Sequence, residues 1–295
     1  MEGTKKTNNL GFLFAVLKIL GAIIGIVAIV LIGIYFYVRV VLGIDIFGII
    51  RIAKSLGSDF DESTILTTPV TDADIEQTFE QFDLAGLSGF YTESNGNYTI
   101  NDDISGLPTA SQDISLTGSQ TCALVQGIIN SSLQLDQNIS LDVEIKQIKF
   151  SNYVAMANGG KVDVNMVFYT SLKELKAVIN VFPVNLFIKY IPDDAYVNVN
   201  FSVEQTDDLS YTITPKDIAL NSLTTTQTAM VVSVVGSVLD GMTANSLCKD
   251  IGNLVFQALV GSDEGTGLAR ELRVVGINAF AFEQVGNDIK FVLKI

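Results

Sequence analysis

The sequence contains no histidine and no tryptophan, and only two of its 295 residues are cysteine. Without histidine there is no His-based catalytic triad, no imidazole zinc ligand and no imidazole switch near neutral pH. Two cysteines build neither an all-cysteine zinc site nor a disulfide scaffold. Positive charge is scarce as well. Eighteen basic residues against 32 acidic ones give a net charge of −14, and no Lys or Arg occurs between Ser55 and Ile145. Such a balance argues against a nucleic-acid partner, whose phosphates need a basic surface. No phosphate-binding glycine loop, nucleophile elbow or metalloprotease helix is present.

What the chain does have is one long uncharged run. Ile19 to Val38 holds 20 residues without a charge, bracketed by Lys18 and Arg39. A helix of that length crosses the hydrocarbon core of a bilayer, and its flanking cations can snorkel to the headgroups. No small-x-small cleavage site follows it, so the run predicts an uncleaved signal anchor rather than a removed leader. Basic residues are equal in number on its two sides (Lys5, Lys6 and Lys18 against Arg39, Arg51 and Lys54). Orientation therefore rests on size: a short tail inside and a large C-terminal domain outside, at the cell envelope. Gly21 and Gly25 form a small-xxx-small motif that lets two such helices pair, a route to a homodimer. The expected organisation is a tail over 1–18, the anchor over 19–42, an amphipathic juxtamembrane segment and linker over 43–70, and an extracytoplasmic domain over 71–295.

Within that domain, period-2 alternation marks antiparallel strands with one wet face. Val162, Val164, Met166 and Phe168 oppose Lys161, Asp163 and Asn165, while Val197, Val199, Phe201 and Val203 oppose Asn198, Asn200 and Ser202. Asn95-Gly96 and Asn158-Gly159 lie between such runs and predict tight hairpins. The parity of the Ile139–Phe150 run flips between Ile145 and Ile148, as a bulge would require. Helices are expected to open at Thr71, at Thr117, near Thr226 and at Thr243. The predicted fold is α+β: an N-terminal single transmembrane helix followed by a mainly antiparallel, long-stranded sheet covered by helices.

The acidic clusters do not assemble into recognisable chemistry. Glu93-Ser-Asn95-Gly96-Asn97 falls short of a calcium loop, and the sequence implies no metal and no cofactor. A carboxylate-dependent hydrolase needs two acids brought together, so Asp193 and Asp194 would have to converge with a third. No catalytic residue is nominated and the chain reads as a non-enzyme. Cys122 and Cys248 fall in predicted helices among apolar neighbours, as buried thiols or, if those helices pack together, as a disulfide. The apolar strands and the Val-rich helix around Val231 form either a closed core or a groove for an acyl chain. In the second case Phe168, Val199, Phe201, Val231 and Val235 face a common cavity.

Leu116-Thr117-x-x-Gln120-x-x-Ala123-Leu124, the hairpin Phe150 to Val164, and Tyr190-Ile191-Pro192 leading into Tyr196-Val197-Asn198-Val199 carry a resemblance. So does Ile213-Thr-Pro215-x-Asp217-Ile218. In order of elements the chain from about Ser115 onward resembles the YpmS-like single-pass envelope proteins and, more loosely, the tubular lipid-binding folds. That resemblance implies an anchored, non-enzymatic domain with an apolar groove. Its partners would be the bilayer, a lipid, or another envelope protein. The leading expectation is a membrane-anchored extracytoplasmic protein that holds or transfers lipid-like ligands. The alternative is a structural or interaction protein of the envelope.

Overall fold

The computed structural model of the chain describes residues 55–56, 60–101, 103–104, 106–133, 143–156, 159–173, 192–236, 242–260 and 272–295. The α-helices given in full are α1 Asp72–Leu84, α2 Gly118–Leu133, α3 Thr225–Gly236 and α4 Ala244–Val260. Each opens on a threonine that trades hydrogen bonds with the residue three positions on. Thr71 pairs with Asp74, Thr117 with Gln120, Thr224 with Gln227 and Thr243 with Ser246, at 2.8–3.2 Å. The exchange satisfies two N–H groups that a helix start otherwise leaves without partners. The third helix begins at Thr225, one residue before the expected Thr226.

The strands form three antiparallel sheets. A hairpin joins β1 (Tyr91–Ser94) to β2 (Asn97–Ile100), turning at Asn95 (φ 53°) and Gly96 (φ 78°), the two positive values that a type I′ turn demands. β3 (Ile114–Leu116), β9 (Asp288–Lys294) and β8 (Ala279–Val285) pair in that spatial order. The largest sheet runs β4 (Val143–Met156), β5 (Gly159–Ser171), β6 (Asp194–Asp207), β7 (Ser210–Leu220), each strand hydrogen-bonded to the next in sequence. The expected bulge is present: Ile145 faces Phe168 while Gln147 faces Val167, so Lys146 is the extra residue. It allows Ile145 and Ile148, three apart, to point into the core together, each 2% exposed.

One face of the large sheet carries the core. α4 packs across β7 and β6, and Phe256 on α4 meets Phe201 at 6.2 Å, Tyr211 at 5.7 Å, Phe282 at 6.0 Å and Phe291 at 6.3 Å between ring centres. Gly252 permits this approach, because a Cβ there would lie 2.9 Å from Ile213 Cγ2 and 3.3 Å from the Phe201 ring. A second aromatic group anchors α1 to the small hairpin: Phe79 stacks on Tyr98 and Phe82 on Phe90, with centroids 4.3 Å and 4.5 Å apart.

The fold is thus α+β with antiparallel sheets, but the membrane-spanning helix expected to head it is corrected. No helix among the described residues is long and apolar enough to cross a membrane. The most amphipathic of them, α4, has 17 residues, carries Lys249 and Asp250 on its exposed side, and buries its apolar stripe against the sheet. The run 19–42 on which the expectation rested lies outside the described residues, as do Gly21 and Gly25.

Phe256→Ala removes the ring on which four others converge, and should cost about 3–5 kcal/mol in urea unfolding. Met230→Ala on the exposed side of α3, 59% accessible, should stay within about 0.5 kcal/mol of the parent chain.

Candidate functional site

Four of the five expected groove residues have described side chains. Val199 and Phe201 are fully enclosed, Val231 is buried, and Phe168 is half-buried on the same sheet face, between Ile145 and Val197. Val235 belongs to α3, and its side chain lies outside the described residues. Val231 lines a small cavity together with Val197, Ile218, Leu220, Thr228, Val232 and Leu247; its volume is about 20 Å³. That is room for about one water, and an apolar wall keeps such a space dry. Its one polar lining group, the Thr228 hydroxyl, already accepts from Leu220 N–H at 3.1 Å.

Both cysteines are free thiols, so the alternative of a disulfide is not realised. Cys122 Sγ donates to Ile145 O at 3.2 Å and Cys248 Sγ to Asn200 O at 3.1 Å, each sealed under a different part of the sheet. Burial pushes both thiols up, Cys248 to about 11, which suppresses the thiolate that nucleophilic chemistry requires. Asp194 Oδ1 accepts from the Tyr169 hydroxyl at 2.9 Å. No group of three metal-ligating side chains occurs among the described residues.

The other face of the large sheet is built differently. Strand alternation turns Lys161, Asp163, Asn165 and Tyr169 of β5 outward beside Glu204, Ser202, Asn200 and Tyr196 of β6, their cross-strand partners. Antiparallel neighbours sit about 5 Å apart, close enough for short polar side chains to meet. Here they form a continuous row. Gln147 Nε2 donates to Asn165 Oδ1 at 2.5 Å, and Asn165 Nδ2 to Asn198 Oδ1 at 2.6 Å and Asn200 Oδ1 at 2.7 Å. Asn200 Nδ2 completes it on Asp217 Oδ1 at 2.6 Å, so the row spans all four strands.

A parallel group centres on Asp163. Its carboxylate accepts from Ser202 Oγ at 2.6 Å, Asn152 Nδ2 at 2.7 Å and Lys216 Nζ at 2.5 Å. Asn152 reaches it from a second bulge in β4, where its φ of 53° is one that asparagine tolerates. Partial burial alone would raise the Asp163 pKa, but these bonds and the lysine charge outweigh it, and the carboxyl is held below its ordinary range.

Part of this face is covered by the stretch that reads as a linker. Residues 60–70 run across it as a strap. Phe60 packs on the Tyr196 ring at 5.3 Å and Glu62 accepts from the Tyr196 hydroxyl. Ile65 O and Thr68 N–H are both held by the Gln147 amide, and Val70 N–H donates to Lys146 O at 3.1 Å. Gln147 is 0% exposed beneath it. Lys149 Nζ donates to Thr67 Oγ1 of the strap at 3.2 Å, and beyond it lie Lys161, Asp163, Asn165, Asn200, Glu204, Thr214, Lys216 and Asp217. The alternation in sequence marks these positions as wet, yet nothing in it aligns Asn165 with Asn200 or brings the strap to Gln147. Register and long-range packing decide both.

Gln147→Leu keeps the volume but removes both contacts to the strap. Hydrogen exchange at the Thr68 amide should rise at least about tenfold, with a stability loss of about 1–3 kcal/mol. The Asp163 carboxylate stabilises the fold above its ordinary pKa, and that contribution is lost as pH falls through the lowered folded value. Urea midpoints followed from about pH 6 to pH 2 should therefore fall less steeply in Asp163→Asn than in the parent chain.

Compared with known proteins, the chain matches no family model, no curated protein and no solved structure, so the resemblance to YpmS-like envelope proteins rests on its own residues.

Proposed function

We propose that this chain is a non-enzymatic binding domain that works through the open outer face of its large sheet, as an interaction protein rather than a carrier with ligand in its interior. The observation that carries the reading is the contrast between the two faces. On the inner face the space beside Val231 amounts to about 20 Å³, so an acyl chain would have to pry α3 from β6 and β7. Separating those elements exposes apolar surface at about 25 cal/mol per Å². On the outer face an ordered polar row presents itself with its groups already held in place. Pre-organised polar groups bind without the ordering cost that flexible ones incur. The non-enzymatic part of the reading is supported by the raised thiols, which lack the thiolate that a nucleophile needs.

Two measurements test it. Native mass spectrometry and solvent extraction of the full chain should yield no stoichiometric lipid; a lipid at one per chain overturns the reading. The buried native thiols allow selective labelling of an introduced surface cysteine. A bulky maleimide on Thr214→Cys should abolish co-sedimentation of the purified chain with the particulate fraction of the cells that make it. The same label on Met230→Cys should leave it intact. Loss with the Met230 label alone would place the binding surface elsewhere.

A further inference from the structure

The strap is fixed at its two ends and lightly held between them. Before it, Leu56 is buried in the core and Ser55 O accepts from Ser222 Oγ. After it, Val70 packs half-buried against the core, and Thr71 caps α1, whose Thr78, Phe79 and Phe82 are buried. Between these points no residue of 60–68 is buried. Its larger apolar side chains, Phe60, Ile65 and Leu66, are only half-buried.

What holds this stretch down is mostly polar and close to water. Glu62 accepts from the Tyr196 hydroxyl and Phe60 lies on the Tyr196 ring. Gln147 Oε1 accepts from Thr68 N–H at 2.7 Å, and Lys149 Nζ donates to Thr67 Oγ1 at 3.2 Å. Glu62, Thr67, Thr68 and Lys149 are exposed, so each exchanges its bond for one to water when the strap lifts. Gln147 is hydrated by the same movement, and no polar group is stranded. Lifting α4 would instead bare Phe201 and Phe256, for which water is no substitute. The strap also keeps its own shape. Asp61 Oδ1 accepts from Ser63 N–H at 3.0 Å to cap a short turn over Glu62–Thr64, and Glu62 O accepts from Ile65 and Leu66 N–H at 3.0 Å and 2.8 Å.

We infer that residues 60–68 are a latch, which opens as one unit between the fixed points Leu56 and Val70 while the sheet and its core stay folded. Two states of the outer face follow. Closed, the Gln147 end is covered. Open, Gln147 is hydrated and the face is bare from β4 to β7, while Asn165 keeps its bonds to Asn198 and Asn200. This movement belongs to the chain itself and is independent of what the face binds.

The test is hydrogen exchange of the full parent chain, kept soluble in a polyoxyethylene detergent and read at single amides by mass spectrometry, with urea varied below the unfolding transition. The Thr68 amide should be protected, yet exchange at least about a hundredfold faster than the amides of β6, a strand paired on both sides. Its rate should barely change with urea, because lifting the strap exposes little surface. The buried native thiols report opening of the core: labelling of Cys122 and Cys248 by a charged maleimide should accelerate steeply with urea. Tyr196→Phe keeps the ring beneath Phe60 and removes the bond to Glu62. It should speed exchange at Thr68 at least about threefold, although Thr68 is held by Gln147 and not by Tyr196, and should leave thiol labelling unchanged. Four results overturn the inference. Protection at Thr68 equal to that of β6, or a urea dependence parallel to that of the thiols, makes the strap part of the core. Absence of protection means that it never closes, and indifference of Thr68 to Tyr196→Phe means that its two ends open separately.

Discussion

The extra residue in β4 sets the arrangement of the rest. Along a strand, residues three apart point to opposite faces, so without Lys146 as a bulge either Ile145 or Ile148 would face water. With it both isoleucines enter the core, and two successive side chains, Lys146 and Gln147, are left on the outer face. The strap is built on that pair. Lys146 O accepts from Val70 N–H, its ammonium lies 4.9 Å from the centre of the Tyr169 ring, and Gln147 holds Ile65, Thr68 and Asn165 at once. One inserted residue thereby joins the filled interior, the strap and the polar row. A buried amide with so many partners is costly to disturb, because each bond lost leaves a polar group without water to replace it.

Much of this architecture is legible in the sequence, for reasons that are local. Thr-x-x-Asp, Thr-x-x-Gln and Thr-x-x-Ser declare helix starts through bonds that span three residues, and Asn95-Gly96 declares a hairpin through its φ preferences alone. The parity flip at Ile145 and Ile148 shows the bulge because burial on one face has to be paid for by an irregularity somewhere between them. What stays illegible is non-local. Residues 60–70 are rich in Ser, Thr and Asp, the composition of a linker, and only their tertiary contacts with Tyr196, Gln147 and Lys146 make them a strap. Val199 and Phe201 show the same alternation whether they close a core or line a groove; the contact of Phe201 with Phe256 on α4, admitted by Gly252, is tertiary and not written in it.

The polar row also follows from a constraint on sheets. A sheet with one packed face must fill the other with something that tolerates water and neighbours about 5 Å away. Like charges directly opposite are destabilising, and isolated long side chains lose entropy when ordered. Asparagine avoids both penalties: it is short, uncharged, and can donate and accept at once, so Asn165, Asn198 and Asn200 satisfy one another laterally. The charged residues that remain are placed as opposite pairs, Lys161 across from Glu204 and Lys216 against Asp163. A purely structural requirement is enough to favour a neutral, hydrogen-bonding face.

That requirement does not, however, explain the strap. If the row served only to tile the sheet, covering all of it or none of it would do equally well. Instead residues 60–70 shield the Gln147 end, where the amide is 0% exposed, and stop short of Asn200, Thr214 and Asp217. Fixing Gln147 at the covered end orients Asn165, whose carbonyl is engaged and whose two N–H groups are thereby directed at Asn198 and Asn200. The direction of every bond in the row is set from beneath the strap, and the spare donors emerge on the uncovered strands. A covered end thus fixes the orientation of the whole row, and Asn200, which spends one N–H on Asp217, stands at its open end.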